Sequence, residues 1–204
     1  MHRLSKSETE HPTKGAILDA AQKVFIERGF GNTSMSMIAK EAKVTKSLIH
    51  HHFGSKDRLW YAVKLRRLEG YYRLQREQLE IAEPDAKCLK GAMMALFYLL
   101  KNDPELVRLI AWRQIDKDHL FHEEEKELTS RAVEKIAEAQ RKGNIRDDVD
   151  PHHIIVSFFS LVVHWFLAKH EYLQWGGVNT DYTDHDEKCL EGMIKIFFEG
   201  VVPR

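Results

Sequence analysis

Cysteine is scarce in this chain: Cys88 and Cys189 are the only two in 204 residues. Two thiols cannot build a disulfide scaffold or a four-cysteine zinc site. Five prolines and eleven glycines are too few for a turn-dense β-sandwich. An excess of one charge sign is also missing, because 31 Lys and Arg cancel 31 Asp and Glu. That balance excludes a disordered polyelectrolyte and a uniformly basic nucleic-acid coat, though not a local basic face. No long apolar run stands out. Met1 to Lys14 is polar, without the apolar stretch of a signal peptide. The apolar peak, Pro151–Ala168, is interrupted by His152, His153, Ser157, Ser160 and His164. Such a composition is poor for a span of about 20 apolar residues and ordinary for a buried helix. Catalytic signatures are absent as well: no P-loop, no Gly-x-Gly-x-x-Gly, no serine elbow and no zinc-protease helix. The expectation is a soluble, cytoplasmic protein that is not an enzyme and carries no cofactor and no metal.

What is present is a core and a polarity along the chain. Hydrophobic residues make up 43% of the sequence, enough for one or two domains. Residues 1–60 hold ten Lys/Arg against six Asp/Glu and five of the twelve histidines; the remainder holds 21 Lys/Arg against 25 Asp/Glu. A basic head suits a polyanion and an acidic body stays off it.

The pattern reads as all-α, with about nine helices. Ile17, Ala20, Ala21, Val24 and Phe25 repeat at helical spacing and Gly29 supplies a stop. Short helices fit Ser36–Ala42, with Met37, Ile38 and Ala42 inward, and Lys46 to about His52, capped by Thr45. Ser55 caps a long fourth helix that ends before Pro84. A fifth fits Asp85–Lys101. Asp103-Pro104 opens a sixth, ending near Asp116, and a seventh covers about Leu120–Lys142. Asp150-Pro151 opens an eighth, and a ninth spans about His185–Glu199. The eighth is apolar on all sides, from Ile154 to Leu167. A helix of that kind must be covered on all sides. One face in the core and one against a second copy satisfies this, so a homodimer through the last two helices, about 151–173 and 185–199, is expected.

The second and third helices, joined by Lys43-Val44-Thr45, have the length of a helix-turn-helix. In that unit the later helix enters the major groove of double-stranded DNA and its first residues meet base edges. The exposed candidates are Thr45, Lys46, Ser47, Leu48, His50, His51 and His52. Lys, Ser and Thr suit phosphates and base acceptors, and Leu48 suits a thymine methyl. Consecutive histidines on a helix point about 100° apart and cannot converge on one ion. Asp116, Asp118, His119 and His122 are better spaced, but a solvated helix start explains them.

The runs Ile17-Leu18-Asp19-Ala20-Ala21, Val24-Phe25-Ile26-Glu27-Arg28-Gly29-Phe30, Thr33 to Ala42 and His52-Phe53-Gly54-Ser55-Lys56 resemble the N-terminal domain of the tetracycline-repressor (TetR) family. The likeness covers about residues 13–60. It implies a helix-turn-helix head over 1–58 and a C-terminal ligand-binding and dimerisation body over 59–204. It also implies a dimeric regulator, usually a repressor, bound to a near-palindromic operator and released by a small-molecule effector. Thr33 and Ser34 match contacts near the start of the second helix, and Lys56 matches a phosphate-binding lysine. Three positions depart from the family pattern: Lys43 stands at a turn position often occupied by Gly, Ser47 replaces a common Gly, and His50 replaces a typical Tyr. A histidine still donates to phosphate, more strongly when protonated. The resemblance places a ligand pocket among the fifth, seventh and eighth helices. Its expected lining is Met93, Phe97, Trp112, Phe121, Phe158, Val162 and Trp165, with His119 and His164 as polar anchors. Such a lining favours a hydrophobic or aromatic ligand. Two other readings remain open at this point: a helical interaction protein with degenerate DNA binding, and an enzyme of unrecognised type.

Overall fold

The computed structural model describes residues 10–81, 85–115, 123–175 and 182–201. Among these residues there are nine helices and no strand: α1 Glu10–Arg28, α2 Met35–Ala42, α3 Lys46–Phe53, α4 Lys56–Ile81, α5 Ala86–Asn102, α6 Pro104–Ile115, α7 Glu123–Arg141, α8 Pro151–Trp175 and α9 Tyr182–Val201. Most boundaries follow from local chemistry. Ser34, Thr45 and Asp85 are N-caps whose side chains accept from the third amide onward, Met37, Leu48 and Cys88 respectively. A cap of this kind contributes about 1 kcal/mol. Asp103 accepts from the Leu106 amide at 3.0 Å, and Asp150 from the His152 amide at 2.8 Å; each precedes a proline at the first helical position, where the missing N–H costs nothing. Gly29 and Gly143 follow α1 and α7 at positive φ. After α7, Gly143 donates to Gln140 and Asn144 to Ala139, the doubled bond that closes a helix end.

The chain divides into two compact units. The first comprises residues 1–69 and 108–120, the second 70–107 and 121–204. The division cuts through α4 and gives the end of α6 to the first unit, so it does not follow a single break near residue 58.

The first unit closes on one apolar cluster. Ile17, Val24 and Phe25 of α1, Ile38 of α2, Ile49 and Phe53 of α3, Leu59, Trp60 and Val63 of α4 and Leu109 of α6 meet in it. Phe25 and Trp60 pack with ring centroids 4.9 Å apart. In α2 the buried side chains are Met35, Ile38 and Ala39, and the expected Met37 and Ala42 pack half-buried against the same cluster. Trp112 of α6 lies in this unit too: its indole N–H donates to the Ile26 carbonyl at 3.1 Å.

The second unit packs α5 against α8 and α9, and α7 against α8. Met93, Leu96, Phe97 and Leu100 face Ile154, Phe158, Val162 and Phe166 across its core, with the Phe97 and Phe166 rings 4.8 Å apart. A buried carboxylate, Asp186, accepts from the Trp165 indole at 2.8 Å and from Lys169 at 3.0 and 3.1 Å. Thus α8 is not uniformly covered. It buries Ile154, Ile155, Phe158, Val162, Trp165, Phe166 and Leu173. It exposes His153, Val156, Ser157, Ser160, Leu161 and His164. By length and apolarity α8 could cross a membrane; the histidines and serines on its open side would be costly in lipid.

Candidate nucleic-acid interface and effector cavity

The start of the site is the pair of N-caps. Ser34 and Thr45 each accept a backbone N–H through their hydroxyl oxygen, at 3.2 Å in both cases. Each is exposed, so each hydroxyl proton remains available to an outside acceptor. The first amides of α2 and α3 carry the positive end of the helix dipole, which favours phosphate. Lys43 joins these two helices in a left-handed conformation, φ 55° and ψ 39°, and its amide donates to the last α2 carbonyls. A glycine would hold this turn without the Cβ conflict that Lys43 accepts.

From Thr45 onward, α3 sorts its side chains cleanly. Ile49 and Phe53 anchor it in the core. Lys46, Ser47, His50 and His51 are exposed, and Leu48 is half-buried at the edge. These exposed residues share one face, since positions three and four apart are neighbours on a helix. The His50 ring is already engaged: Nδ1–H donates to the Gly54 carbonyl at 2.7 Å. A carbonyl only accepts, so Nδ1 carries the proton and Nε2 holds a lone pair in the neutral ring. Donation from Nε2 to a phosphate therefore requires the second proton.

Two residues expected at this face are placed differently. Thr33 is 3% exposed and its hydroxyl donates to the Gly29 carbonyl at 2.6 Å. It braces the α1–α2 turn rather than projecting outward. Lys56 donates to the carbonyls of Phe30 and Thr33 at 2.8 and 2.9 Å and sits 4.0 Å from the Phe30 ring centroid. It ties α4 to the same turn and has one ammonium proton left for an anion. Across the other side of this unit, Lys23 of α1 and Glu41 of α2 pair at 2.6 Å, and Lys23 holds the Glu41 carboxyl below its usual range.

The second unit contains a cavity of about 70 Å³. Leu79 of α4, Leu89 and Ala92 of α5, Ile136 and Ala139 of α7, Ile145, and Ile155, Phe158 and Phe159 of α8 supply its apolar wall. Asp85, Cys88 and Lys135 line it as well, with Gln75 and Gln78 of α4. Gln75 Nε2 and Gln78 Oε1 are buried and have no hydrogen-bond partner among the described residues. Burial pushes the Cys88 thiol up, so it is not a thiolate nucleophile.

Of the expected pocket residues, Phe158 reaches this cavity. Met93, Phe97 and Val162 are completely enclosed in the core. Trp165 is committed to Asp186, Trp112 to the first unit, and His164 points outward. His119 and Phe121 lie outside the described residues, as do Asp116, Asp118 and His122. Among the described residues no group of three His, Cys, Asp or Glu could hold a metal. Gln75 and Gln78 were not anticipated, because on a helix as charged as α4 a glutamine reads as solvated surface. Their one sequence signal is the spacing from Tyr71 and Leu79, which puts all four on one face.

An N-capped helix pair presenting a cationic and polar face defines a helix-turn-helix protein that binds DNA. The comparisons agree. Residues 17–63 match the bacterial regulatory proteins of the tetR family, and residues 89–189 match the tetracyclin repressor-like C-terminal domain. The chain is 33% identical over 97 residues to the transcriptional activator FasR of Mycolicibacterium smegmatis; that alignment covers 48% of this chain and 44% of FasR. It is 25% identical to the transcriptional repressor Rv1474c of Mycobacterium tuberculosis, over 75% of this chain and 79% of that one. Its fold is similar to that of AibR in complex with isovaleryl coenzyme A and operator DNA, with a TM-score of 0.65 and 21% identity over 90% of this chain and 97% of AibR. The chain belongs to the TetR family: it is a helix-turn-helix transcriptional regulator and not an enzyme.

Proposed function

We propose that this chain is a cytoplasmic homodimeric repressor that binds a near-palindromic operator and is released by a small hydrophobic effector. The observation that carries the DNA-binding half is the α3 face, Lys46, Ser47, His50 and His51, set beside the free hydroxyl protons of Ser34 and Thr45. Ser34, Thr45 and Lys46 bind backbone phosphates and fix the register, while Ser47, Leu48 and His51 face base edges. Thr33 acts through the turn it braces, and Lys56 both braces that turn and offers its remaining proton to a phosphate.

The exposed side of α8 supports the dimer. His153, Val156, Ser157, Ser160, Leu161 and His164 read symmetrically about a point between Phe158 and Phe159. Two copies crossing antiparallel there would set His153 against His164, Val156 against Leu161 and Ser157 against Ser160 of the partner. A two-fold interface needs this kind of self-complementarity, and the small serines permit close approach. On α9, Ile196 is 74% exposed and would extend the same surface. A two-fold dimer presents two α3 helices to two half-sites, which is why the operator should be near-palindromic.

The cavity supports effector control. Its ~70 Å³ is about half the ~150 Å³ that admits a benzene-sized molecule. An effector of that size or larger therefore widens it, and prefers the widened state by the difference in its affinity for the two. Gln75, Gln78 and Leu79 belong to α4, whose first turns belong to the head, so widening acts on the helix that continues from the DNA-binding unit. AibR, whose fold is similar, is known in complex with both isovaleryl coenzyme A and operator DNA.

The test is selection of bound fragments from sheared source-genome DNA by the purified chain near physiological salt. Enrichment of one palindromic motif is the expected result. On that motif, Lys46→Ala should weaken binding and lower the slope of log affinity against log salt by about 1. No enrichment over a basic-protein control, or an unchanged slope, would overturn the docking.

A further inference from the structure

The cavity carries information on the chemistry of its ligand beyond being apolar. Its wall is aliphatic and aromatic, yet Gln75 and Gln78 of α4 line it, and two of their atoms, the donor Gln75 Nε2 and the acceptor Gln78 Oε1, are closed off beside it and lack partners among the described residues, so a ligand that widens the cavity is what could reach them. Leaving a buried donor and a buried acceptor unmet is costly, and an apolar ligand would leave both unmet. The charges at the cavity, Asp85 and Lys135, are opposite in sign. They therefore give no net preference for an anion or a cation. The Asp85 carboxylate is moreover occupied as the α5 cap, accepting from the Cys88 amide at 2.7 Å.

We infer that the effector is an uncharged molecule with a small apolar body and a carboxamide-type head, whose carbonyl accepts from Gln75 and whose N–H donates to Gln78. This rests on the reading of the cavity as the effector site. A carboxylate could accept from Gln75 but would face the Gln78 oxygen with a second acceptor. A tertiary amide would leave that oxygen unmet. A saturated hydrocarbon would satisfy neither.

Three probes with the same four-carbon acyl chain separate these cases: butanamide, N,N-dimethylbutanamide and butanoate, each titrated into the full chain at pH 8 by ligand-observed NMR. Butanamide is expected to bind at least about ten-fold more tightly than either of the others. Gln75→Leu should weaken butanamide and butanoate together, because both accept from Gln75, whereas Gln78→Leu should weaken butanamide and not butanoate, because only butanamide donates to Gln78. Both variants should also raise the unfolding midpoint of the free protein, because each removes an unmet buried amide. Ala132 lines the cavity as well, so a third variant, Ala132→Phe, fills it and tests the site itself. If all three probes bind the wild type alike and all are lost in Ala132→Phe, the cavity is the effector site and the head-group assignment is wrong. If no probe binds, or if binding survives Ala132→Phe, the cavity reading falls and this inference with it. The ranking on the wild type needs no variant to fold.

Discussion

A methyl group on Gly29 would lie 2.5 Å from Cε3 of Trp112, and the residue sits at φ +75°. Either fact alone disfavours a side chain. A left-handed conformation costs an ordinary residue about 1–2 kcal/mol, and forcing extra volume into a packed site costs about 1–3 kcal/mol. Gly29→Ala should therefore destabilise the chain by roughly 2–5 kcal/mol, measured by denaturant unfolding. A loss below about 1 kcal/mol would mean that the indole is free to move aside. His50 makes a different kind of prediction. With Nδ1–H held by Gly54, its outward nitrogen is an acceptor in the neutral ring and does not donate to a phosphate. His50→Gln, whose amide does donate, should therefore keep or raise operator affinity in a binding titration. A clear loss would show that the His50 ring itself is needed on the DNA. The cap at Thr45 and the exposure of Lys46, Ser47 and His50 were legible in the sequence because caps and turns are local. Thr33 and Lys56 were not, because what their polar atoms do depends on carbonyls of the α1–α2 turn that only the folded backbone brings within reach.

At the scale of elements, the helix starts were legible wherever a capping side chain announces them, as Asp85, Asp103 and Asp150 do. What faces each helix was not. Trp112 and Phe158 look alike in sequence, aromatic residues at helical spacing, yet one anchors α6 in the first unit and the other walls the cavity in the second. Burial on a helix is settled by the partner element, which local periodicity does not name. The α5–α9 contact shows a further dependence on partners. Glu187 accepts from Lys101 at 2.5 Å and from the Tyr98 hydroxyl at 2.9 Å. These bonds hold its carboxyl below the ordinary value of 4.5. A carboxyl lowered in the folded state stabilises it fully above its unfolded value, and that contribution is lost as pH falls through the folded value. Wild type should thus be the more stable of wild type and Glu187→Gln at pH 7, with the gap closing below about pH 4.5. Thermal unfolding across pH 3–7 checks this; a gap that stays constant would show that the loss comes from packing and not from the charge.

For the molecule as a whole, the proposed dimer raises the question of how its two heads would be spaced for one operator. The outward stripe of α8 bears directly on it, because its symmetry specifies a register and not merely a sticky face. An antiparallel pair centred between Phe158 and Phe159 brings Ser157 of one chain to Ser160 of the other, while Ser157 stays apart from its own counterpart. Cysteines at matching positions cross-link when their Cα atoms come within about 7 Å. Native Cys88 and Cys189 are half-buried, and burial pushes their thiols up, that of Cys189 to about 11. Both should oxidise slowly. Mixing Ser157→Cys chains with Ser160→Cys chains under mild oxidation should then give a covalent dimer on a non-reducing gel, and either variant alone should give little. A cross-link in Ser157→Cys alone would centre the dimer on residue 157 itself, less than half a turn earlier, and would separate His153 from His164. No cross-link in any combination would move the interface off α8. If the mixed dimer forms, its operator affinity decides whether this interface is the one that spaces the heads. Retained affinity means that the locked register is the DNA-bound one. Lost affinity means that the heads need α8 to slide, which would place the release step at the interface as well as at the cavity.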